Sequence, residues 1–437
     1  MDGGPEEAKL QGRSLTKVAL TSLVATSIEW YDFFLYGTAA ALIFPQVFFP
    51  EASPLIGTLL AFSTFGVGFV FRPVGGLLFG QMGDRIGRKR TLVIALLLMG
   101  LASTLIGLLP TYAAIGIVAP VLLTVMRVCQ GLALGGQWGG AMLLVTENAP
   151  ANRRGYYGSF AQLGVPVGLV CANLIFLGVT AVVSPEALIA WGWRVPFLVS
   201  VLLIAIAIYV GLRLEETLAF QQVRESRVET RRLPVLDVFR LHPKEIALAA
   251  GAQTAITGTY YVMTAYILSY GTDQVGASRT TMLVAVLLSS IVTIPALVFF
   301  AWVSDRIGRR GIFMWGAALT AIWSFPAFWL INTGTAILIL VALVVYQVVF
   351  SMMYGPTAAL FAEMFGTRIR YSGASIGYQL GGMLGGALAP IIATSLFAAT
   401  GTSVSIAAYM AAVSLIGLVA VFLATETYQK DMVEELD

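Results

Sequence analysis

Residues 80–89 read GQMGDRIGRK, and residues 301–310, which begin 221 positions later, read AWVSDRIGRR. Two more pairs of motifs recur in the same order at nearly the same offset. Glu147 with Arg153 and Arg154 recurs as Glu363 with Arg368 and Arg370, and Glu216-Thr217 recurs as Glu426-Thr427. Three ordered matches at nearly one offset indicate a duplicated chain whose two halves have the same orientation.

The composition places both halves in a lipid bilayer. Of the 437 residues, 58% are hydrophobic and 11% are charged, and the mean hydropathy is +0.85. A soluble domain carries about 25% charged residues. Backbone groups in lipid must bond within helices or closed barrels. The apolar stretches are long and show no residue-by-residue alternation, so we predict an all-α membrane protein.

Charged residues divide the apolar sequence into twelve predicted spans. Each span has about the length, roughly 20 residues or more, that a helix needs to cross a bilayer. They cover 18–44, 55–80, 91–110, 113–145, 156–182, 194–212, 246–270, 281–303, 312–331, 335–361, 372–398 and 403–424. We therefore predict an N-terminal six-helix bundle (1–212), a linker (213–244) and a C-terminal six-helix bundle (245–437).

The basic residues predict the orientation. Of the 26 Lys and Arg residues, 22 lie on the two tails, on the central linker and on loops 2–3, 4–5, 8–9 and 10–11. The positive-inside rule places these segments in the cytoplasm. We expect both termini in the cytoplasm and a multi-pass protein of a bacterial inner membrane. The polar N-terminus resembles no removable signal peptide.

Several motifs resemble a known transporter family. The repeated Asp-Arg-x-Gly-Arg loop resembles the signature of the major facilitator superfamily, and Arg127-Val128-Cys129-Gln130-Gly131 resembles its span 4 motif. Further stretches resemble its metabolite:proton symporter family: 29–33 (EWYDF), 71–76 (FRPVGG), 135–140 (GGQWGG), 191–197 (WGWRVPF) and 215–217 (EET). That family includes shikimate, α-ketoglutarate, citrate and proline/betaine carriers.

The resemblance implies the fold and the mechanism. Major facilitator carriers have two parallel six-helix repeats that bind substrate between them near the midplane. We expect a proton-coupled importer of a small polar metabolite, such as a shikimate-like or dicarboxylic organic acid, that works by alternating access. One departure matters: the family pattern has Glu where this chain has Gln137. An amide cannot titrate, so proton coupling must use another group or be lost.

Four ionisable residues lie well inside predicted spans, where charge is costly and marks functional candidates. They are Glu29, Asp32, Arg72 and Arg127. Glu29 and Asp32 are three residues apart on one helix face, and two like charges in a poorly hydrated site resist ionising together. We assign proton coupling to Asp32 and Glu29. The alternative is that they only neutralise Arg127. Arg72 fits either structural pairing or substrate contact.

The substrate-binding candidates are polar or aromatic side chains expected to face the cavity. They are Tyr36, Arg127, Gln130, Gln137, Trp138, Gln162, Tyr261, Gln347, Tyr354 and Tyr378. A buried guanidinium binds carboxylate in a bidentate manner, which favours an anionic substrate. For the glutamines, hydrogen bonding between helices is the competing interpretation. The second half contributes only neutral candidates.

The repeated loops predict a gate of ion pairs that locks the halves in one state. Its candidates are Asp84, Arg85, Arg88, Glu147, Arg153, Asp305, Arg306, Arg309, Glu363 and Arg368. A topological role for basic loops would need no gate. An acid at a fixed position in both repeats favours the gate.

Other function classes lack support in the sequence. It has no phosphate-binding loop, no His/Cys metal cluster and no nucleophile elbow, so we expect neither an enzyme nor a cofactor, with protons as the coupling ion. The expected partners are a small metabolite, protons and the bilayer, without nucleic acid, and we expect a monomer. An efflux carrier and a non-transporting substrate sensor on the same scaffold are the alternatives.

Overall fold

The fold was obtained as a computed structural model. It describes residues 5–86, 88–135, 142–143, 145–147, 149–202, 204–205, 242–366 and 369–426; within these helices, the side chains of 5–14, 17, 18, 21, 25, 80, 81, 83–86, 88, 89, 92 and 371 are outside the description. The predicted linker therefore lies almost wholly outside the described residues.

In the first half, span 1 is Pro5–Leu42 and span 2 is Pro54–Ile86, with a short helix Phe44–Phe48 between them. The other first-half helices follow in chain order. They are span 3 (Arg88–Leu108), the short helix Tyr112–Ile115, span 4 (Val118–Gly135), the 3-10 turn Ala151–Arg153, span 5 (Arg154–Gln162 and Gly164–Val182), the short helix Pro185–Ala187, the π-helical turn Leu188–Gly192, and the start of span 6 (Arg194–Val199).

The second half repeats the pattern. Its elements are span 7 (Pro243–Tyr261, Val262–Tyr266 and Ile267–Asp273), span 8 (Arg279–Ile307), span 9 (Arg309–Ile331), span 10 (Ala336–Met364), span 11 (Arg370–Gly381, Gly382–Ala387 and Ala389–Thr400) and span 12 (Ser403–Leu423). Within the described residues, eight helices are long and apolar enough to cross a membrane, and Val93–Leu108 is a shorter apolar helix. The predicted helical class is confirmed.

Some helix boundaries differ from the prediction. Span 1 begins at Pro5 instead of residue 18, because a polar segment can continue a helix beyond the membrane. The predicted start of span 4 near 113 is wrong. The short helix Tyr112–Ile115 ends at Gly116, whose φ of +58° breaks the helix, and span 4 restarts at Val118.

Spans 2 and 4 pack with almost no side-chain layer between them. A Cβ built on Gly76 would lie 3.1 Å from the carbonyl oxygen of Gly135, and one on Gly68 would meet the side chain of Arg127. Small residues allow membrane helices to approach this closely. The glycines of these two spans thus bring the guanidinium of Arg127 against span 2.

Two irregular helical segments lie on the inner side of the second half. Val262–Tyr266 in span 7 and Gly382–Ala387 in span 11 are π-helical. A Cβ on Gly386 would collide with the rings of Phe69 and Tyr261. Single π-helical turns are frequent at functional sites, and here they flank the aromatic layer at the middle of the bundle.

The two halves contact each other at one end and at mid-height of the bundle, and they line a cleft at the other end. We call the end of the bundle that carries loops 2–3, 4–5, 8–9 and 10–11 the basic end. At this end, hydrogen bonds and an ion pair join the halves. At mid-height, Phe69 packs against Tyr261 with 5.1 Å between ring centres. At the opposite end, both halves line a cleft of about 410 Å³ that includes Gln46 and Arg279.

Candidate functional site

Four charged side chains are buried at the middle of the first half. Glu29 and Asp32 come from span 1, Arg72 from span 2 and Arg127 from span 4, and each is at most 6% exposed. Arg72 is the charged partner of Glu29, and Arg127 interacts electrostatically with Asp32. The four residues that the sequence singled out therefore form one cluster of two acids and two cations.

Phe33 lies in contact with both cations. The guanidinium carbon of Arg72 is 4.4 Å from the ring centre of Phe33, and that of Arg127 is 4.3 Å from the same centre. Phe69 holds Arg72 at 4.4 Å and Tyr36 holds Arg127 at 4.3 Å in the same way. Cation–π contacts stabilise a buried guanidinium by about 0.5–2 kcal/mol and leave its edge N–H groups available for an acceptor.

The hydrogen bonds of Arg127 use only some of its guanidinium N–H groups. Its Nη1 donates to Gln130 Oε1 at 2.9 Å, and its Nε donates to the carbonyl oxygen of Phe65 at 3.4 Å. Among the described residues, Nη2 of Arg127 and both Nε and Nη2 of Arg72 have no acceptor. Buried polar groups are nearly always bonded, and the described residues supply no acceptor for these three nitrogens.

Gly68 leaves the space that Arg127 occupies. A Cβ at position 68 would lie 2.6 Å from Arg127 Nε and 3.1 Å from Nη2. We predict that Gly68→Ala displaces the guanidinium, at a cost of about 1–3 kcal/mol for overpacking. Titration of purified protein with a carboxylate ligand should therefore show affinity lowered about tenfold or more.

The matched control for Gly68→Ala is Gly178→Ala on span 5, where an added Cβ meets nothing within 4 Å. It should leave affinity unchanged. Unaltered affinity in Gly68→Ala, with the protein still folded, would show that the position of Arg127 does not govern binding.

Only one of the two carboxylate oxygens of Asp32 accepts a hydrogen bond from the described residues. Its Oδ1 accepts a 2.5 Å hydrogen bond from Ser200 Oγ of span 6, and its Oδ2 has no partner among the described residues. Ser200 lies 168 positions away, so no local pattern could reveal this pair. The arrangement orients the carboxyl group and leaves one oxygen that can accept a proton.

The other predicted substrate residues of the first half have different surroundings. Gln130 holds Arg127 and donates to Ser103 Oγ at 2.7 Å, so it acts as a link between spans 3 and 4. Tyr36 donates to Thr64 Oγ1 at 2.7 Å while its ring supports Arg127. Gln162 is buried at the end of the helix Arg154–Gln162. Gln137 and Trp138 lie outside the described residues.

The predicted residues of the second half surround the other side of the centre. Tyr261 interacts electrostatically with Arg72 and packs on Phe33 at 5.9 Å between ring centres. Tyr354 and Tyr378 belong to the same buried tyrosine group, and Tyr378 interacts with Arg72. Gln347 is 1% exposed on span 10. The tyrosines thus approach the cationic cluster from the second half.

The second-half motif at the basic end forms the predicted ion-pair network. Arg309 Nη1 donates to Asp305 Oδ1 at 2.6 Å, and Arg309 Nη2 donates to Glu363 Oε1 at 3.3 Å. Asp305 also reaches the first half, where it accepts hydrogen bonds from the backbone N–H groups of Gly155 (2.8 Å) and Tyr156 (2.7 Å). A carboxylate at the start of a helix is favourable, so Asp305 latches span 8 to span 5.

A second contact between the halves joins Glu147 to Arg370, with 3.4 Å between Oε1 and Nη1. The repeated motif predicts Arg368 for this role, and Arg368 lies outside the described residues. Arg370 belongs to the same repeated motif. Two arginines two positions apart cannot be ranked without knowing how the helix that begins at Arg370 is rotated.

Other gating candidates lie away from the network. Arg306 is exposed and stacks 3.7 Å above the ring of Trp302, and Arg153 is exposed at the turn before span 5. For both, the structure shows no ion pair among the described residues. The side chains of Asp84, Arg85 and Arg88 lie outside the description, so a corresponding first-half latch stays a prediction.

The latch predicts the effect of Asp305→Asn. The substitution removes the charge and turns one acceptor of the Gly155 and Tyr156 N–H groups into a donor. Hydrogen bonds to charged groups stabilise by about 1.5–3 kcal/mol, so the basic end should open about 10- to 100-fold more often. Hydrogen exchange of residues 154–162, followed by mass spectrometry, should accelerate accordingly.

Arg306→Lys is the control for the latch, because Arg306 is exposed, stacks on Trp302 and forms no ion pair among the described residues. It should leave exchange in residues 154–162 unchanged. Equal exchange in Asp305→Asn and the unaltered protein would contradict the latch.

Comparison with known proteins identifies the scaffold. Residues 22–378 match the sequence profile of the Major Facilitator Superfamily. The chain belongs to this superfamily. The Escherichia coli K12 shikimate transporter is 38% identical over 429 residues, covering 97% of both chains. The Salmonella typhimurium LT2 proline/betaine transporter is 31% identical over 429 residues, covering 96% of this chain and 85% of the relative. This major facilitator protein is therefore a transporter and not an enzyme, and its relatives match the predicted metabolite:proton symporter family.

A solved structure confirms the fold. The crystal structure of a D-xylose–proton symporter superimposes with a TM-score of 0.73 at 19% identity, covering 94% of this chain and 98% of the symporter. The major facilitator fold, with twelve transmembrane helices in two parallel six-helix repeats, is the one that the repeated motifs predicted. The bundle boundaries at 212 and 245 stay a prediction.

Proposed function

We propose that this major facilitator protein imports a small carboxylic acid together with protons, and that Arg72 and Arg127 bind the carboxylate. One observation carries this proposal. Two fully enclosed guanidinium groups share the ring of Phe33 and keep three N–H nitrogens without an acceptor in the described structure. A guanidinium presents parallel N–H groups that match a carboxylate.

The free-energy cost of burying the two guanidinium groups supports an anionic ligand. Leaving a buried charged donor unpaired costs more than the 1–3 kcal/mol of a neutral group. A bound carboxylate would recover that cost at the arginines. Because Glu29 and Asp32 already face the same cations, the substrate carboxylate competes with them for Arg72 and Arg127.

This competition suggests how protons are coupled to the substrate. Protonation of Asp32 would remove its charge beside Arg127, so the guanidinium would be left to the substrate carboxylate. Release of the proton would restore the internal pair and favour release of the substrate. Asp32 can take this role because its Oδ2 has no partner in the described structure.

We further propose that the basic end faces the cytoplasm of a bacterial inner membrane, as the positive-inside rule predicts. The cleft lined by Gln46 and Arg279 then opens to the outside, while Asp305 and Arg370 close the inside. Alternating access would break the latch at Asp305 and close the cleft. The names of two relatives, a shikimate and a proline/betaine transporter, fit small carboxylates as substrates.

Uptake into proteoliposomes tests this function. Purified protein is reconstituted, and uptake of radiolabelled shikimate and cyclohexanecarboxylate is measured with and without a gradient that is acidic outside. One pH unit supplies about 1.4 kcal/mol per proton, so a one-proton symporter accumulates substrate about tenfold. Equal uptake with and without the gradient would refute the coupling. Binding of the carboxylates without uptake would favour a sensor.

A further inference from the structure

On the second-half side of the central cluster lie buried polar side chains that take no part in the proposed binding of the carboxylate. We call this side, formed by spans 7 and 10, the wall. Gln253 on span 7 is fully buried, and neither its Nε2 nor its Oε1 has a partner among the described residues. Gln347 Oε1 on span 10 and the hydroxyl of Tyr260 on span 7 also lack partners there. Native proteins leave few buried polar groups unbonded, so this set requires an explanation.

These side chains belong to the same central layer as the arginines. Tyr260 packs on Phe34 of span 1, with 5.9 Å between ring centres, and on Phe350 of span 10 at 4.7 Å. Gln347 lies one turn from Phe350 on span 10, and Gln253 lies two turns from Tyr260 on span 7. Tyr261, next to Tyr260, is the partner of Arg72. By helical spacing, Gln253 and Gln347 thus lie on the same helix faces as the aromatic rings that pack beside the cationic cluster.

The charges of this wall restrict what it can recognise. Among the described residues of the second half, the buried charged side chains are Asp305, Arg309, Glu363 and Arg370. All four belong to the networks at the basic end. No cation in the described wall therefore offers a carboxylate a partner, so the parts of the substrate that contact this wall are expected to be neutral.

The aromatic rings of the wall do not form a cage for a quaternary ammonium group. Phe350 is nearly parallel to both Tyr260 (30°) and Tyr354 (30°), at 4.7 Å and 5.4 Å between centres. A cage needs free ring faces, and these faces cover one another. An amide offers both donors and an acceptor, and a hydroxyl group can bond to either.

We propose that Gln253, Gln347 and Tyr260 bind hydroxyl groups of the substrate, which is a hydroxylated monocarboxylic acid. The inference rests on the proposed function, because Arg72 and Arg127 must hold the carboxylate at the other end. A site built to bond a substrate hydroxyl discriminates strongly against the analogue that lacks it, since its own polar groups are left unpaired.

Paired ligands test the assignment in the purified protein. Titration calorimetry compares 3,4-dihydroxycyclohexanecarboxylate with cyclohexanecarboxylate, and succinate and glycine betaine serve as further ligands. A net hydrogen bond contributes about 0.5–1.5 kcal/mol, so two to three bonds should make the dihydroxy acid bind about 10- to 100-fold more tightly. Gln253→Leu and Gln347→Leu should each reduce this ratio several-fold.

The control variant is Gln274→Leu at an exposed loop position, which should preserve the ratio. Equal affinity of the unaltered protein for the two cyclic acids would overturn the inference and leave the proposed function intact, as would a ratio that neither glutamine variant changes. Tighter binding of succinate or glycine betaine would also overturn it. If neither cyclic acid binds, the proposed function fails as well.

Discussion

Arg127→Gln is expected to abolish carboxylate binding by this transporter. Arg127 is 0% exposed and keeps Nη2 without an acceptor in the described structure. Removing one partner of a buried, hydrogen-bonded charge pair costs about 2–5 kcal/mol, or roughly 30- to several-thousand-fold in affinity. The loss should be seen as the disappearance of binding heat and of uptake into proteoliposomes.

Two other variants delimit the role of Arg127. Arg127→Lys keeps the charge but loses the planar set of N–H donors of the guanidinium. Its affinity for the carboxylate should therefore lie between that of Arg127→Gln and that of the unaltered protein. Arg306→Lys alters an exposed arginine that stacks on Trp302, and it should bind like the unaltered protein. If Arg127→Gln still bound cyclohexanecarboxylate with unchanged affinity, Arg127 would be a structural residue.

Asp32→Asn is expected to separate substrate exchange from proton-driven accumulation. Asparagine keeps an oxygen for the hydrogen bond from Ser200 but cannot carry a proton. Accumulation under a gradient of one pH unit should fall from about tenfold to none, because each coupled proton contributes about 1.4 kcal/mol. Exchange of labelled for unlabelled carboxylate across the same vesicles should continue. The two measurements are made on one preparation.

Glu29→Gln is the matched variant for Asp32→Asn, since both acids lie on one face of span 1 and differ in their arginine partner. We expect Glu29→Gln to keep gradient-driven accumulation, because Glu29 faces Arg72 while the proposed proton carrier Asp32 is coupled to Arg127; loss of accumulation in Glu29→Gln would instead make Glu29 the second proton carrier that the sequence predicts. Asp273→Asn at the rim of the cleft controls for charge removal in general. Full accumulation in Asp32→Asn, in Glu29→Gln and in the double variant would place proton coupling elsewhere.

Much of the architecture followed from periodic and global properties of the sequence. The apolar lengths required membrane helices, and the motifs at 80–89 and 301–310 required two halves of the same orientation. Local breaks were less predictable. The interruption at Gly116 depends on a positive φ, and an apolar sequence continues on both sides of it. Hydropathy therefore merged a loop helix with span 4.

The site was predictable where burial of charge is itself the signal. Glu29, Asp32, Arg72 and Arg127 stand out because charge in an apolar span is rare. Gln253 carried a weaker form of the same signal, as a lone amide in span 7, and was missed. Ser200 and Gly68 carried none, because a serine or a glycine in a membrane helix is common.

The sequence alone determined the membrane class, the twofold repeat and the presence of four buried charges, since each follows from residue type and spacing along one helix. The tertiary structure decided which partner each charge has. It brought Phe33 into contact with both Arg72 and Arg127, and it joined Asp305 to the start of span 5. Such contacts link residues far apart in the chain, and they depend on helix rotation and approach that only the packing of all the spans sets.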